Sequence, residues 1–343
     1  MPGALQAAPF ISSALILATL PHHWRVKNMA TLSIIAWLTA YNLTYGINAI
    51  IWDGNVDIRV PVWCDIVTKL KIGADVGLPG SCLCMAKRLN RITYGLDMSP
   101  RGWRHRTLDV FLCWGLPVLV MILHVIVQGH RFDIIEDLGC IPAVYVSWPS
   151  IFILDVSAFI PAVLALFYCA QALFRLYRRH VALRTMLTTT APSLSPSRYV
   201  RLMIMAFVLG AWNTVLLSIS TSGEYAEGLQ PWTSWDVVHF GFSFIGQFTD
   251  EDFDSQSLLR IYVLWWAVPI SGLSFFLFFG IGADAMKDYR AITQWLTRVI
   301  LRKDSPHPVQ VGSAALDLND YYDPQDEKYL IPPPRLHSLP QPV

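Results

Sequence analysis

Residues 64–91 read C-D-I-V-T-K-L-K-I-G-A-D-V-G-L-P-G-S-C-L-C-M-A-K-R-L-N-R. The stretch is long enough to cross a bilayer, yet Lys69, Lys71 and Asp75 stand in its first half. Cys64 opens it, and Lys87, Arg88 and Arg91 close it. An ionisable side chain in hydrocarbon is costly and normally faces other helices or a water-filled cavity. Lys71 and Asp75 are four apart, share one helix face and offset each other. Lys69, Lys71 and Asp75 are therefore expected to form a polar lock on a helix in the middle of a bundle. The basic end of that helix faces the cytoplasm.

The composition agrees. Hydrophobic residues make up 54% and charged residues 15% of the 343, whereas a soluble domain carries about 25% charged residues. A net charge of +1 gives no global field for nucleic acid. The first eight residues have no Lys or Arg, so the basic region of a signal peptide is missing. The apolar segment behind them reads as a first membrane span.

Segments of spanning length lie at 4–21, 29–51, 65–86, 108–127, 149–172, 202–221 and 261–282, each close to the ~20 residues a helix needs. An all-α bundle of seven transmembrane helices follows, over residues 1–290, with a tail at 291–343. Orientation comes from Lys and Arg in the connections. One side collects Arg25, Lys27, Lys87, Arg88, Arg91, Arg101, Arg104, Arg106, Arg175, Arg178, Arg179, Arg184, Arg198, Arg201 and the tail's basic residues. The other has Arg59, Arg131 and Arg260. The basic side is cytoplasmic, so the N-terminus is outside. The tail carries Pro306, Pro308 and a run at 332–334 with few aliphatics and reads as disordered. It has no cysteine, which excludes C-terminal prenylation.

Pro79, Pro117, Pro161 and Pro269 fall inside spans, where proline is tolerated and kinks the helix. The long outer connection 222–260 is acidic and rich in aromatics. Trp232, Trp235, His239 and Phe242 recur at helical spacing, which predicts an amphipathic helix at the membrane surface; an interfacial aromatic anchor is the alternative. Of six cysteines, only Cys64 and Cys140 face the oxidising outer side. Either they form a bridge that pins the 128–148 connection over the bundle mouth, or they are two free thiols. Cys82 and Cys84 are packing residues, since no second Cys/His pair completes a metal site.

No G-x-S-x-G, H-E-x-x-H, P-loop or G-x-G-x-x-G is present, so neither an enzyme nor a cofactor is expected. The seventh span has no lysine for a retinal Schiff base. An odd span count without a visible repeat argues against a transporter. An outward mouth, a polar interior and a basic inner face suit a receptor. A small-solute transporter or channel and a membrane-embedded enzyme are the rival classes.

Six segments in order carry a family resemblance: N-A-I-I-W at 48–52, P-V-W-C-D-I at 61–66, G-S-C-L-C-M-A-K-R-L at 80–89, Q-G-H-R-F-D-I-I-E-D-L-G-C-I-P at 128–142, S-R-Y-V-R-L-M at 197–203 and P-W-T-S-W-D-V-V-H-F at 231–240. The ordered set resembles the a-factor-type pheromone receptors of fungi, and is most similar to the B mating-type receptors of mushroom-forming basidiomycetes. The resemblance implies a seven-helix G-protein-coupled receptor of the plasma membrane. Its ligand would be a secreted peptide with a farnesylated, carboxymethylated C-terminal cysteine. Its output would be GDP release from a heterotrimeric Gα and a MAP-kinase cascade leading to mating. Expected ligand contacts are Arg131, Glu136, Trp232, Trp235, Asp236 and His239. Expected Gα contacts are Arg88, Arg91, Arg178, Arg179 and Arg201, basic residues that also bind anionic membrane lipid.

Overall fold

The computed structural model describes residues 2–94, 103–178, 196–226 and 228–281. The expected tail at 291–343, together with Arg179, lies outside the described residues. Six described helical segments are long and apolar enough to cross a membrane: Gly3–Arg25, Met29–Ile51, His105–Val127, Trp148–Arg178, Tyr199–Glu224 and Ser255–Phe279. The seventh is the polar one, helix α4, Pro61–Thr93. Pro61 sits in its first turn, where a missing N–H costs nothing. Its 33 residues span about 50 Å at 1.5 Å each, so it projects beyond a hydrocarbon core of ~30 Å at both ends.

Around α4 the chain places α1 (Pro2–Ala18), α2 (Leu20–Val26), α3 (Met29–Ile51), α5 (Trp103–Val110), α6 (Leu116–Leu123), α7 (Trp148–Ser150), α8 (Val156–Arg178), α9 (Pro196–Glu224), the single turn α10 (Trp235–Val238) and α11 (Ser255–Phe279). Helix α4 packs against α3, α6, α8 and α9. It buries Thr68, Ser81, Asn90 and Thr93 along with its apolar face. By contrast α8 leaves Ile160, Phe167 and Phe174 exposed, as a helix facing lipid does. The sequence pattern thus separates the two roles: hydropathy marks helices that touch lipid, and polarity marks the one that does not.

Small residues let the centre close. A Cβ at Gly77 would meet the Trp37 indole, and one at Gly80 would meet the backbone carbonyl of Leu112. Small residues at helix crossings allow such approach in membranes. The fourth span is broken by a π-turn, Phe111–Gly115, just before Pro117. Pro117 has no N–H for the carbonyl four residues back, which is Cys113. Trp37 Nε1 donates to that carbonyl at 3.0 Å, and the Trp37 ring stacks on Trp114 at 5.2 Å. A second π-turn, Ile151–Asp155, precedes Pro161, while Pro79 and Pro269 sit inside continuous helices.

The outer face differs from the expected all-helical form. A small sheet runs β2–β1–β3, with β1 Phe132–Ile135, β2 Gly139–Ile141 and β3 Ile245–Phe248. Strand β1 pairs antiparallel with β2 and parallel with β3. The β1–β2 turn needs left-handed backbone at Asp137 and Gly139, φ 61° and 79°. A Cβ on Gly139 would also strike Trp52 and Asn48. Phe132 and Ile134 pack with Trp52, Cys64 and Val67, which seats the sheet on the bundle. The amphipathic helix expected around Trp232–Phe242 is one turn only. Gly241 at φ 73° ends the local coil, and Phe244 N bonds back to Gly241 O at 2.8 Å.

Cys64 and Cys140 are joined in a disulfide, with 5.3 Å between Cα atoms and a sequence separation of 76. Chain entropy for such a loop is worth about 4–5 kcal/mol. In a bilayer the spans stay inserted when packing is lost, so the measured loss is smaller. Cys64→Ser is expected to lower the melting temperature of the purified protein by several degrees, and Cys64→Ser/Cys140→Ser to be no worse. Gly80→Ala, which drives a methyl into a backbone carbonyl, is expected to cost about 1–3 kcal/mol. Thermal unfolding in detergent checks both.

Candidate functional site

Two cavities open between α3, α4, α9 and α11. The inner one, about 120 Å³, is lined by Tyr41, Lys71, Asp75, Asn213 and Ser271 among apolar residues. The outer one, about 260 Å³, lies under the β1–β2 hairpin. It is lined by Lys71, Glu224, Arg260 and Trp265 with Ile135, Leu138 and Leu264. Tyr45, Lys71, Ser220 and Leu264 belong to both walls. Tyr41 Oη donates to Asp75 Oδ1 at 2.9 Å. Tyr45 stands edge-on to Tyr41 at 4.9 Å and stacks on Trp265 at 5.6 Å. Ser220 Oγ donates to Glu224 Oε1 at 3.0 Å.

The expected trio of Lys69, Lys71 and Asp75 is therefore split. Residues two apart on a helix point about 200° away from each other at 3.6 residues per turn, so Lys69 cannot face the cavity that Lys71 faces. Lys69 Nζ instead donates to Gln128 Oε1 at 2.6 Å and lies 2.7 Å from Nδ1 of buried His124. Lys71 and Asp75 remain together at the cavity wall.

The six expected ligand residues do not converge on these cavities. Arg131 grips Asp65 with two bonds, Nε to Oδ1 at 2.9 Å and Nη2 to Oδ2 at 2.6 Å. The carboxylate's hydrogen bonds hold the guanidinium above its ordinary pKa. That clamp lies one residue from the disulfide. Glu136 Oε2 accepts from Asp250 N at 3.4 Å. Trp232 Nε1 donates to Ile126 O at 3.2 Å. Trp235 stacks on His239 at 3.8 Å, and the two nitrogens of His239 each lie 2.8 Å from a carbonyl oxygen, of Trp235 and Val125. Asp236 is exposed in the first turn of α10. These residues join the outer connections to one another and to helix ends.

At the inner face Arg88 Nη1 donates to Asn28 Oδ1 at 3.1 Å. Arg91 and Arg201 are half-buried, and Arg178 is exposed, 4.7 Å over Phe174. Arg175, which was not among the expected Gα contacts, stacks on Tyr94 at 3.2 Å and donates to Asn90 at 3.3 Å. Asn90 in turn donates to Gln171, and Tyr199 Oη donates to Leu89 O at 3.1 Å. Among the described residues no cluster of three His, Cys, Asp or Glu could hold a metal ion.

Comparison with known proteins matches residues 4–298 to the pheromone A receptor (STE3) family, which takes in every helix described above. The chain belongs to this family. Its relatives within the receptor family include the pheromone B beta 1 receptor of Schizophyllum commune. That protein is 40% identical over 287 residues, covering 82% of this chain and 53% of the relative. Pheromone receptor 1 of Ustilago hordei is 27% identical over 312 residues, 86% of this chain and 84% of the relative. The pheromone a factor receptor of Saccharomyces cerevisiae is 26% identical over 293 residues, 80% and 59% respectively. The chain spans about half the length of the Schizophyllum commune relatives it matches.

The sequence pattern missed Tyr41, Tyr45, Glu224, Arg260 and Trp265 as lining residues of the two adjoining cavities. Glu224 and Arg260 were readable as ionisable residues at the ends of spans, but their meeting in the wall of one cavity, from α9 and α11, is tertiary. The Arg131–Asp65 clamp gives a prediction. Arg131→Ala and Asp65→Ala are each expected to lower the melting temperature, and the double variant to lose no more than the worse single one. Additive losses in the thermal unfolding cycle would mean the two side chains act independently.

Proposed function

We propose that the chain is a seven-helix, G-protein-coupled receptor of the plasma membrane for a farnesylated peptide pheromone. Ligand binding outside shifts the bundle, and the inner face promotes GDP release from a heterotrimeric Gα. The observation that carries this reading is the family match across residues 4–298. It is supported by basic residues gathered at one end of the bundle and cavities near the other. The relatives carry pheromone-receptor names in basidiomycetes and yeast alike.

In this reading Trp232, Trp235, Asp236 and His239 with Arg131 and Glu136 form the outer rim, which meets the peptide part of the ligand. Trp235, half exposed beside exposed Phe240 and Phe244, offers an apolar landing surface on the way from the lipid. Arg88, Arg91, Arg178, Arg179 and Arg201 meet Gα and anionic lipid. Arg178 is the best placed of the described ones, because its guanidinium is exposed, lying over the Phe174 ring of its own helix.

The receptor in lipid nanodiscs with Gα is expected to accelerate nucleotide exchange when given one member of a panel of farnesylated peptides. Arg178→Glu is expected to keep peptide binding and lose at least half of the stimulated exchange. Solute flux through reconstituted vesicles without any exchange would favour a transporter instead. Exchange that Arg178→Glu leaves unchanged would remove that residue from the coupling face.

A further inference from the structure

The outer cavity has a specific chemistry that the rim residues lack. Its roof is the β1–β2 hairpin, with Ile135 and Leu138, and its wall is the outer half of α11, with Ile261, Leu264 and Trp265. At about 260 Å³ it is near the lower end of ligand pockets, which run ~300–1,000 Å³, and it shares wall residues with the inner cavity. Three donors reach its lining. Lys71 comes from the central helix. Arg260, whose Nη2 also donates to Ser257 Oγ at 3.2 Å, lies against Gly223, where any Cβ would displace the guanidinium. Trp265 Nε1 is buried, on a side chain 4% exposed, and has no hydrogen-bond partner. A buried N–H without an acceptor is costly, and here it belongs to a residue of the cavity wall.

Charge narrows the occupant. Lys71 and Arg260 are faced by Asp75 and Glu224 in the two adjoining walls, so the formal charges balance. A neutral group rich in carbonyl oxygens can use the donors without adding an uncompensated charge, which would be expensive at this depth. The remaining surface is aliphatic and aromatic, suited to a branched hydrocarbon chain at roughly 25 cal/mol per Å² buried.

We propose that this cavity receives the lipidated end of the pheromone. The isoprenoid packs under the hairpin against Leu138, Ile261 and Leu264, and the neighbouring ester and amide carbonyls accept from Lys71, Arg260 and Trp265 Nε1. This rests on the receptor reading above. The hairpin closes over the chain, so the disulfide and the Arg131–Asp65 clamp act as positioning features for the roof.

The test varies cavity size against prenyl length. Peptides carrying geranyl, farnesyl or geranylgeranyl groups are applied to the full receptor with Gα, and surface expression is measured alongside. Leu264→Ala enlarges the space and is expected to move the ranking toward geranylgeranyl. Leu264→Trp narrows it and is expected to favour geranyl. Each ratio should change about tenfold, as one or two methylenes do in an apolar pocket. Trp265→Phe is expected to weaken all three alike. An unaltered farnesyl preference in both Leu264 variants overturns the proposal. If a variant does not reach the surface, a photoreactive farnesyl analogue on the wild-type receptor decides. Adducts at Leu138, Ile261 or Leu264 support the site, and adducts confined to the lipid-facing side of α8 overturn it. Failure of every peptide on the wild-type receptor would instead sink the receptor reading itself.

Discussion

A helix that carries Lys69, Lys71 and Asp75 through the depth of a bilayer cannot be solvated by lipid, so the protein must supply what water would have given. The architecture follows from that demand. Helix α4 takes the centre, and Asp75 and Lys69 are met by different neighbours. Tyr41 of α3 reaches Asp75. Gln128 and His124 at the outer end of the fourth span reach Lys69. Lys71 is left at the border of two cavities, the one ionisable position on the helix that lines both. The apolar helices are placed outside because they alone can bear contact with hydrocarbon.

The same economy governs the prolines. Each deprives a carbonyl one turn earlier of its helical partner. At Pro117 the orphan is taken up by Trp37 Nε1 from a different span, and the close approach this needs is granted by glycines on α4. Near Pro269, Ser12 Oγ donates to that residue's own carbonyl at 3.1 Å, and Asn42 Nδ2 approaches the carbonyl of Val268 at 3.5 Å. At Pro117 a break in one helix thus becomes a cross-link to another. Packing and hydrogen-bond satisfaction are here the same contacts.

Much of this was legible in the sequence. Hydropathy located the apolar spans within a few residues, because lipid contact enforces long unbroken apolar runs. The charge of the loops oriented them. Residues 64–91 were recognisable as special through their polarity, although the helix, Pro61–Thr93, extends beyond the expected 65–86 because its ends stand in water and in loops. The sheet was not legible. Its strands are three and four residues long, too short for alternation to register, and β1–β3 pairing joins segments more than a hundred residues apart. The aromatic spacing at 232–242 matched a helical period, yet Gly241 and the bond from Trp232 to Ile126 favour an irregular path. At the candidate site, the grouping of Lys71 with Asp75 followed from spacing. Its completion by Glu224, Arg260 and Trp265 did not, since only the crossing of α9 and α11 brings them there.

Strand β1 has partners on both sides, one contiguous and one from the connection between the sixth and seventh spans. Beneath it, Cys140 is tied covalently to the head of α4. The extracellular rim is thereby laced like a drum: tension applied at one hem is felt around the hoop. Large excursions are disfavoured there, and any rocking of the staves has its pivot near the skin and its widest swing at the open end, among Arg88, Arg175 and Tyr199.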